Sequence, residues 1–230
     1  MSKFITIYAD GGGAGSKTAG SGCVIQINDE QVSLIKLVGF LGKATNNEAE
    51  ITAVLMGLAY IRYLNQELIR RTVWEKQIPL FEEGSQRETL TEGSIYEVRV
   101  VSDSEYTLKS ATCYISTWLK NGWKTAAKEP VKNQGLWKIY LKLAYKLNIT
   151  AEHVKGHSGH LFNEACDQAS TWSRLNGKTD KSTQFVKIPN NPIGEDWILI
   201  DLENFLGYAR EGQIKQAVQQ LESLVSLYPN

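Results

Sequence analysis

The chain has no net charge to advertise. Its 230 residues carry 25 lysines and arginines against 25 aspartates and glutamates, so the formal balance is zero. No global field therefore marks out a polyanionic partner. Cysteine is scarce as well. Cys23, Cys113 and Cys166 are odd in number and lack metal-site spacing, which fits reduced thiols better than a disulfide framework. No run is apolar enough to span a membrane. The N-terminus has no basic region leading into a long apolar stretch, so it does not read as a signal peptide. The expectation is a cytoplasmic protein with no membrane partner. Its length suffices for one good core, with an appendage.

What is present is unevenly placed. Between Trp118 and Lys146 stand seven lysines and a single acid, Glu129, with tryptophans interleaved. That segment is read as facing phosphates, against the plainer alternative of a solvated helix surface. More informative are four carboxylates at the ends of expected elements: Asp10 in ITIYADGGG, Glu50 in TNNEAEITA, Asp103 in RVVSDSEY and Asp167 in HSGHLFNEACDQA. An α/β fold could gather them into one pocket, where they would repel one another. A divalent cation relieves such repulsion, and hard oxygen donors suit magnesium or manganese. The pattern points to a two-metal nuclease.

Local signals place these residues. Lys3 to Ala9 reads as a strand, and Gly11 to Gly15 as a turn or loop beside Asp10. A dinucleotide fingerprint is set aside there, because no helix pattern follows directly. Cys23–Ile27 and Ser33–Phe40 read as further strands joined through Asn28 and Asp29. Thr45 and Glu48 form a capping box at the start of a long helix. Glu50 shares the line of Val54, Gly57 and Ile61, so Glu50 is expected to point at the sheet and Glu48 away from it. Tyr96–Ser102 is a strand delivering Asp103, with a helix from Ser104 towards Trp118 and another over Gln134–Leu147. Ile149–Val154 is expected to be the last strand of the sheet. Asp167 lies four residues after Asn163 on the helix that follows.

Taken in order, these motifs resemble the type 1 ribonuclease H family from about Lys3 to Trp172. They are the strand ending in Asp10-Gly11, Thr45-Asn46-Asn47 with Glu50, Asp103-Ser104 with Tyr106, and Gly122-Trp123-Lys124-Thr125 with Pro130-Val131-Lys132-Asn133. Lys155-Gly156-His157 with Gly159-His160, and Asn163-Glu164 with Asp167, complete the set. The resemblance implies an RNase H-like α/β fold: a mixed five-stranded sheet with helices on both faces.

It also implies a hydrolase acting on the RNA strand of RNA–DNA hybrids and leaving 5′-phosphate and 3′-hydroxyl ends. Two Mg2+ ions, with Mn2+ as substitute, would be held by Asp10, Glu50, Asp103 and Asp167. Asp10 would bridge them, Glu50 and Asp103 completing one and Asp167 the other. His157 would shuttle protons, His160 would support its loop, and Glu164 would hold an outer water or metal. Zinc at His157, His160 and Cys166 is disfavoured by the glycines beside His157. The hybrid would be gripped by Thr45, Asn46, Asn47, Trp118, Lys120, Trp123 and Lys124, while Trp137 is assigned to the core. The alternatives are a non-catalytic hybrid-binding module, or a nuclease of this fold acting on double-stranded RNA or branched DNA.

Two segments fall outside the resemblance. Residues 65–97 read as an insertion, a helix extension followed by an acidic loop. Beyond the domain, 1–172, residues 173–194 read as a linker and 195–230 as a helical hairpin, with helices over Asp196–Ala209 and Gln213–Tyr228. The hairpin is expected to pack on its own domain or on a copy of it. The sharper alternative is a module for a protein partner or for substrate positioning.

Overall fold

Runs of β-branched and aromatic residues build the sheet. The computed structural model describes residues 4–13, 18–28, 32–75, 97–176, 185–187 and 196–226. Its strands are β1 (Phe4–Gly13), β2 (Ala19–Asn28), β3 (Val32–Gly42), β4 (Glu97–Ser102), β5 (Asn148–His153), β6 (Phe185–Lys187) and β7 (Asp196–Asp201). They run in the order β5-β4-β1-β2-β3-β7-β6. β1, β2 and β3 form an antiparallel meander, whereas β4 and β5 extend it in parallel from β1. On the far side β7 joins β3 in parallel and β6 pairs antiparallel with β7.

Helices cover both faces. α1 (Asn46–Glu75) is followed by α2 (Glu105–Lys109), a π-helical turn (Ser110–Tyr114) and α3 (Ile115–Lys120). Then come α4 (Gln134–Ala144), α5 (Leu161–Asn176), α6 (Glu203–Arg210) and α7 (Ile214–Val225). Ile5, Ile7 and Ala9 of β1 alternate onto the α1 face, within a core that also takes in α4, α6 and α7. The opposite face holds a smaller cluster, in which Ala165, Cys166 and Ala169 of α5 meet Val24, Val38 and Trp197. Trp137 is fully buried in the larger cluster, as expected.

Several expectations change. Gly11, Gly12 and Gly13 are not a turn; they continue β1 and pair with Ser21, Gly20 and Ala19. These glycines serve close packing. A Cβ on Gly11 would lie 2.2 Å from the Glu50 backbone nitrogen, and one on Gly22 would lie 2.1 Å from the Cys166 carbonyl oxygen. α1 and α5 therefore sit directly on the strands, one on each face.

The sheet has seven strands among the described residues, not five, and β5 is not the last in the chain. Asp196–Asp201, expected to begin a helix, is β7. Its run Trp197-Ile198-Leu199-Ile200 has no polar face because both faces are covered: Trp197 enters the smaller cluster, and Ile198 and Ile200 the larger one. Finally, β6 lies inside the segment read as linker, and α5 reaches four residues past Trp172 to Asn176. α1 extends to Glu75, in keeping with the expected helix extension. The turn at Asp29, the rest of the insertion (76–96), the connections 177–184 and 188–195, and residues 227–230 lie outside the described residues.

α6 and α7 form a helical pair seated on the same body. Phe205, Leu206, Ala209, Ala217, Leu221 and Val225 are buried in the larger cluster beside α1 and α4.

The close approach makes a paired prediction. Gly22→Ala drives its methyl into the α5 backbone and should cost about 3 kcal/mol. Gly207→Ala, in α6 with nothing within 4 Å of the added Cβ, should instead stabilise by about 0.5–1 kcal/mol. Urea denaturation midpoints of the two variants check both signs.

Candidate active site

Strand register brings the first two carboxylates together. The β1–β4 ladder ends with Tyr8 opposite Val101, so Asp10, within β1, and Asp103, just past β4, each stand two residues beyond that pair on neighbouring strands. Glu50 arrives on α1, which rests on Gly11. Asp167 arrives on α5, whose preceding residue, Cys166, rests on Gly22, the β2 partner of Asp10. All four line one pocket of about 410 Å³, with Gly11, Gly12, Gly13, Asn46, His157, Thr171 and Arg174.

The electrostatics are those of crowded anions. Asp10 is 9 % exposed. Its carboxyl is pushed up to about 8, first by burial and then by Asp103 and Asp167, with a smaller push from Glu50. The Gly11 N–H donates to Asp10 Oδ1 at 2.6 Å and opposes the rise. Burial and Asp103 also raise Glu50, while the Ser104 and Thr107 hydroxyls donate to its Oε2 and resist. On its other oxygen Glu50 accepts from Asn46 Nδ2 at 2.6 Å. The expected division between the two glutamates holds: Glu50 lines the pocket, and Glu48 closes the helix by accepting from Thr45 N at 2.8 Å.

Among the described residues, no three His, Cys, Asp or Glu groups are drawn together tightly enough to enclose an ion. The fit to a divalent cation is in donor chemistry, four hard carboxylates converging on a pocket at a cost in repulsion.

The loop from Lys155 to His160 closes the side of the pocket nearest Asp103 and Asp167. Gly156 lies against Asp103, where a Cβ would meet Oδ2 at 2.5 Å. His157 takes a left-handed backbone (φ 51°) and is largely exposed, with Nδ1 3.8 Å from Asp167 Oδ2. His153 Nε2 lies 3.2 Å from the Asp103 carbonyl and steadies that turn. The His160 ring packs against Tyr8 with centroids 5.4 Å apart, which fits the loop-supporting role expected of it. Glu164, offered by the resemblance as an outer ligand, accepts from Gly159 N at 2.6 Å and does not line the pocket. It braces the histidine loop.

Of the residues expected to touch substrate, Asn46 lines the pocket, and its Oδ1 accepts from Gly13 N at 3.0 Å. Thr45 and Asn47 are exposed beside it at the start of α1. Trp118, Lys120, Trp123 and Lys124 form a separate surface and do not line the pocket. There Trp118 leans on Trp137, centroids 6.0 Å apart, and Lys138 Nζ lies 5.4 Å from the Trp123 ring centroid. Sequence reasoning missed Thr171 and Arg174. They stand four and seven residues after Asp167 on α5, a helical spacing that places them on its pocket-facing side.

Comparison with known proteins places this geometry. The RNase H family profile matches residues 85–173. A ribonuclease H from Syntrophomonas wolfei subsp. wolfei is 33 % identical over 168 residues, covering 72 % of this chain and 92 % of the relative. One from Treponema pallidum subsp. pallidum is 51 % identical over a shorter stretch of 74 residues, 32 % of this chain and 44 % of the relative. Among solved structures, LC9-RNase H1, a type 1 RNase H with the type 2 active-site motif, matches with a TM-score of 0.57 at 17 % identity. It covers 78 % of this chain and 76 % of that one, a likeness of fold. The chain belongs to the ribonuclease H family and is a ribonuclease H enzyme.

Asp10 holds its proton more tightly folded, at about 8, than at its ordinary value of 3.8. Folding therefore takes up a proton between those values, and the stability of metal-free protein falls as pH rises through that window. In chelator, Asp10→Asn should unfold several degrees above the parent near pH 8, the two converging towards pH 4. Calorimetric scans across pH measure this, and a constant difference would contradict it.

Proposed function

We propose that this chain is a metal-dependent endonuclease that hydrolyses the RNA strand of RNA–DNA hybrids in the cytoplasm, leaving 5′-phosphate and 3′-hydroxyl ends. The observation that carries the reading is the convergence of Asp10, Glu50, Asp103 and Asp167 on one pocket, with Asp10 buried among its like-charged neighbours. Relatives named ribonuclease H, one of them matched over nine-tenths of its length, support it.

Asp10, Glu50, Asp103 and Asp167 would hold two divalent ions, magnesium or manganese. Bound there, the ions would supply a water activated for in-line attack and charge stabilisation at the leaving 3′ oxygen. The chain's own residues do the positioning. Ser104, Thr107 and Asn46 fix the Glu50 carboxylate in one orientation. Gly11, Gly12 and Gly13 line the pocket beside Asp10, and Gly11 lets α1 sit close enough to bring Glu50 in. His157, exposed and flanked by Gly156, is placed beside Asp167 to move a proton at its imidazole nitrogen.

Recognition divides by strand. Asn46 in the pocket would meet the RNA, whose 2′-hydroxyls across the wide minor groove distinguish it from DNA. Thr45, Asn47, Trp118, Lys120, Trp123 and Lys124 would hold the DNA strand, mostly by its backbone, so sequence preference should be slight.

The test is an end-labelled RNA annealed to DNA, with and without magnesium, beside double-stranded and single-stranded RNA. Cleavage of the hybrid alone, dependent on the metal, is the expected result. Asp10→Asn and Asp103→Asn should each lose about a hundredfold or more in rate. Intact hybrid that is nonetheless bound would make the protein a binding module, and cleavage of double-stranded RNA would overturn the substrate assignment.

A further inference from the structure

Glu48 makes more contacts than a helix cap requires. In the capping box, Glu48 N donates to Thr45 Oγ1 at 3.2 Å and Thr45 N returns a bond to Glu48 Oε2. That closes the helix end without further help. Here Arg210, at the end of α6 and 162 residues away, adds a fork: Nε donates to Oε1 at 2.8 Å and Nη2 to Oε2 at 3.0 Å. The same Nη2 donates to the Lys43 carbonyl at 2.9 Å. One guanidinium thus ties the first turn of α1 to the turn leading into it. Burial acts to raise the Glu48 carboxyl, but the Arg210 and Thr45 bonds outweigh it and hold the group below its ordinary value. A planar fork on a shielded carboxylate fixes direction as well as distance.

Arg210 is itself held from behind. Ala209 is buried, and its carbonyl lies where a Cβ on Gly135, in the first turn of α4, would sit. Leu202, just ahead of α6, fills the space that Gly39 leaves open and donates its N–H to the Phe40 carbonyl at 2.9 Å. The clamped turn carries two groups of the pocket. Asn46 follows Thr45 directly, Glu50 stands two residues after Glu48, and the two are joined by their own hydrogen bond.

We propose that Arg210 is a positioning residue for the carboxylate site: through Glu48 it sets the first turn of α1, and with it the aim of Asn46 and Glu50. The C-terminal helices are then part of the catalytic apparatus, acting at one remove from the substrate. The inference rests on the reading of this pocket as the site of hybrid cleavage.

Its test uses the full chain with Arg210→Ala, Arg210→Lys, Glu48→Gln and the double variant Glu48→Gln/Arg210→Ala. Hydrogen exchange of the peptide spanning residues 45–52 is followed without substrate, and kcat and KM are measured on the hybrid. Arg210→Ala should speed exchange in that peptide and lower kcat about tenfold, with KM within about twofold, because misplacement of a site group acts on the chemical step. Arg210→Lys, which keeps the charge but not the fork, should fall between the two. The double variant should be no worse than Arg210→Ala alone, since both changes break one contact. Parent-like exchange and kcat in Arg210→Ala would overturn the proposal. Additive losses in the double variant would do so too. If Arg210→Ala is unfolded at the assay temperature, the exchange and kcat of Arg210→Lys and Glu48→Gln decide by the same criteria. Faster exchange in Arg210→Ala, with a parent protein that fails to cut the hybrid, would sink the cleavage reading and leave the clamp standing.

Discussion

Like charges do not gather without being held, and everything about this molecule's site follows from that. Asp10 is buried where Asp103, Asp167 and Glu50 all bear on it, and its carboxyl is pushed up to about 8 in consequence. The permanent cation among the pocket-lining residues is Arg174, one side chain against four acids. The repulsion must be opposed by covalent and packing constraints elsewhere. Strand register supplies one, since Asp10 and Asp103 each follow the last pair of the β1–β4 ladder, Tyr8 and Val101, by two residues. Backbone contact supplies the others, because the helices that bring Glu50 and Asp167 lie against Gly11 and Gly22 with no side chain between. A site of this kind gains from a rigid frame, since any slack would let the carboxylates drift apart.

Much of this was legible in the sequence because it rests on local rules. The capping box and the i, i+4, i+7 line separated Glu48 from Glu50, and a valine-rich strand located Asp103. What escaped depends on contacts distant in sequence. Gly11, Gly12 and Gly13 look like a turn because glycine is the commonest turn signal, yet they are strand residues, and Gly11 is kept small by a helix passing over it. Nothing local announces that helix. Asp196–Asp201 lacks the alternation of a half-buried strand, and it runs straight into the helical spacing of Glu203–Arg210, so the two merged into one expected helix. The fork from Arg210 to Glu48 spans 162 residues and leaves no local mark. Thr171 and Arg174 differ, since their spacing from Asp167 could have revealed them.

The C-terminal segment shows why its place in the molecule cannot be judged from its position after the family's motifs. β3 is an eleven-residue strand, and without β7 its outer edge over Leu37–Phe40 would present unpaired backbone groups. β7 closes that edge and is sewn into both faces at once, with Trp197 among the residues under α5 and Ile198 and Ile200 among those under α1. From there the chain has little freedom. Leu202 is fully buried against Gly39, and the helix that starts at Glu203 ends at Arg210, whose guanidinium reaches Glu48. Packing with this sequence of dependencies is not that of a detachable appendage, because each contact fixes the geometry of the next. The same apolar core that seats α6 and α7 is the one on which α1 rests, so the force that orders the end of the chain is also the force that holds Glu50 against its own kind.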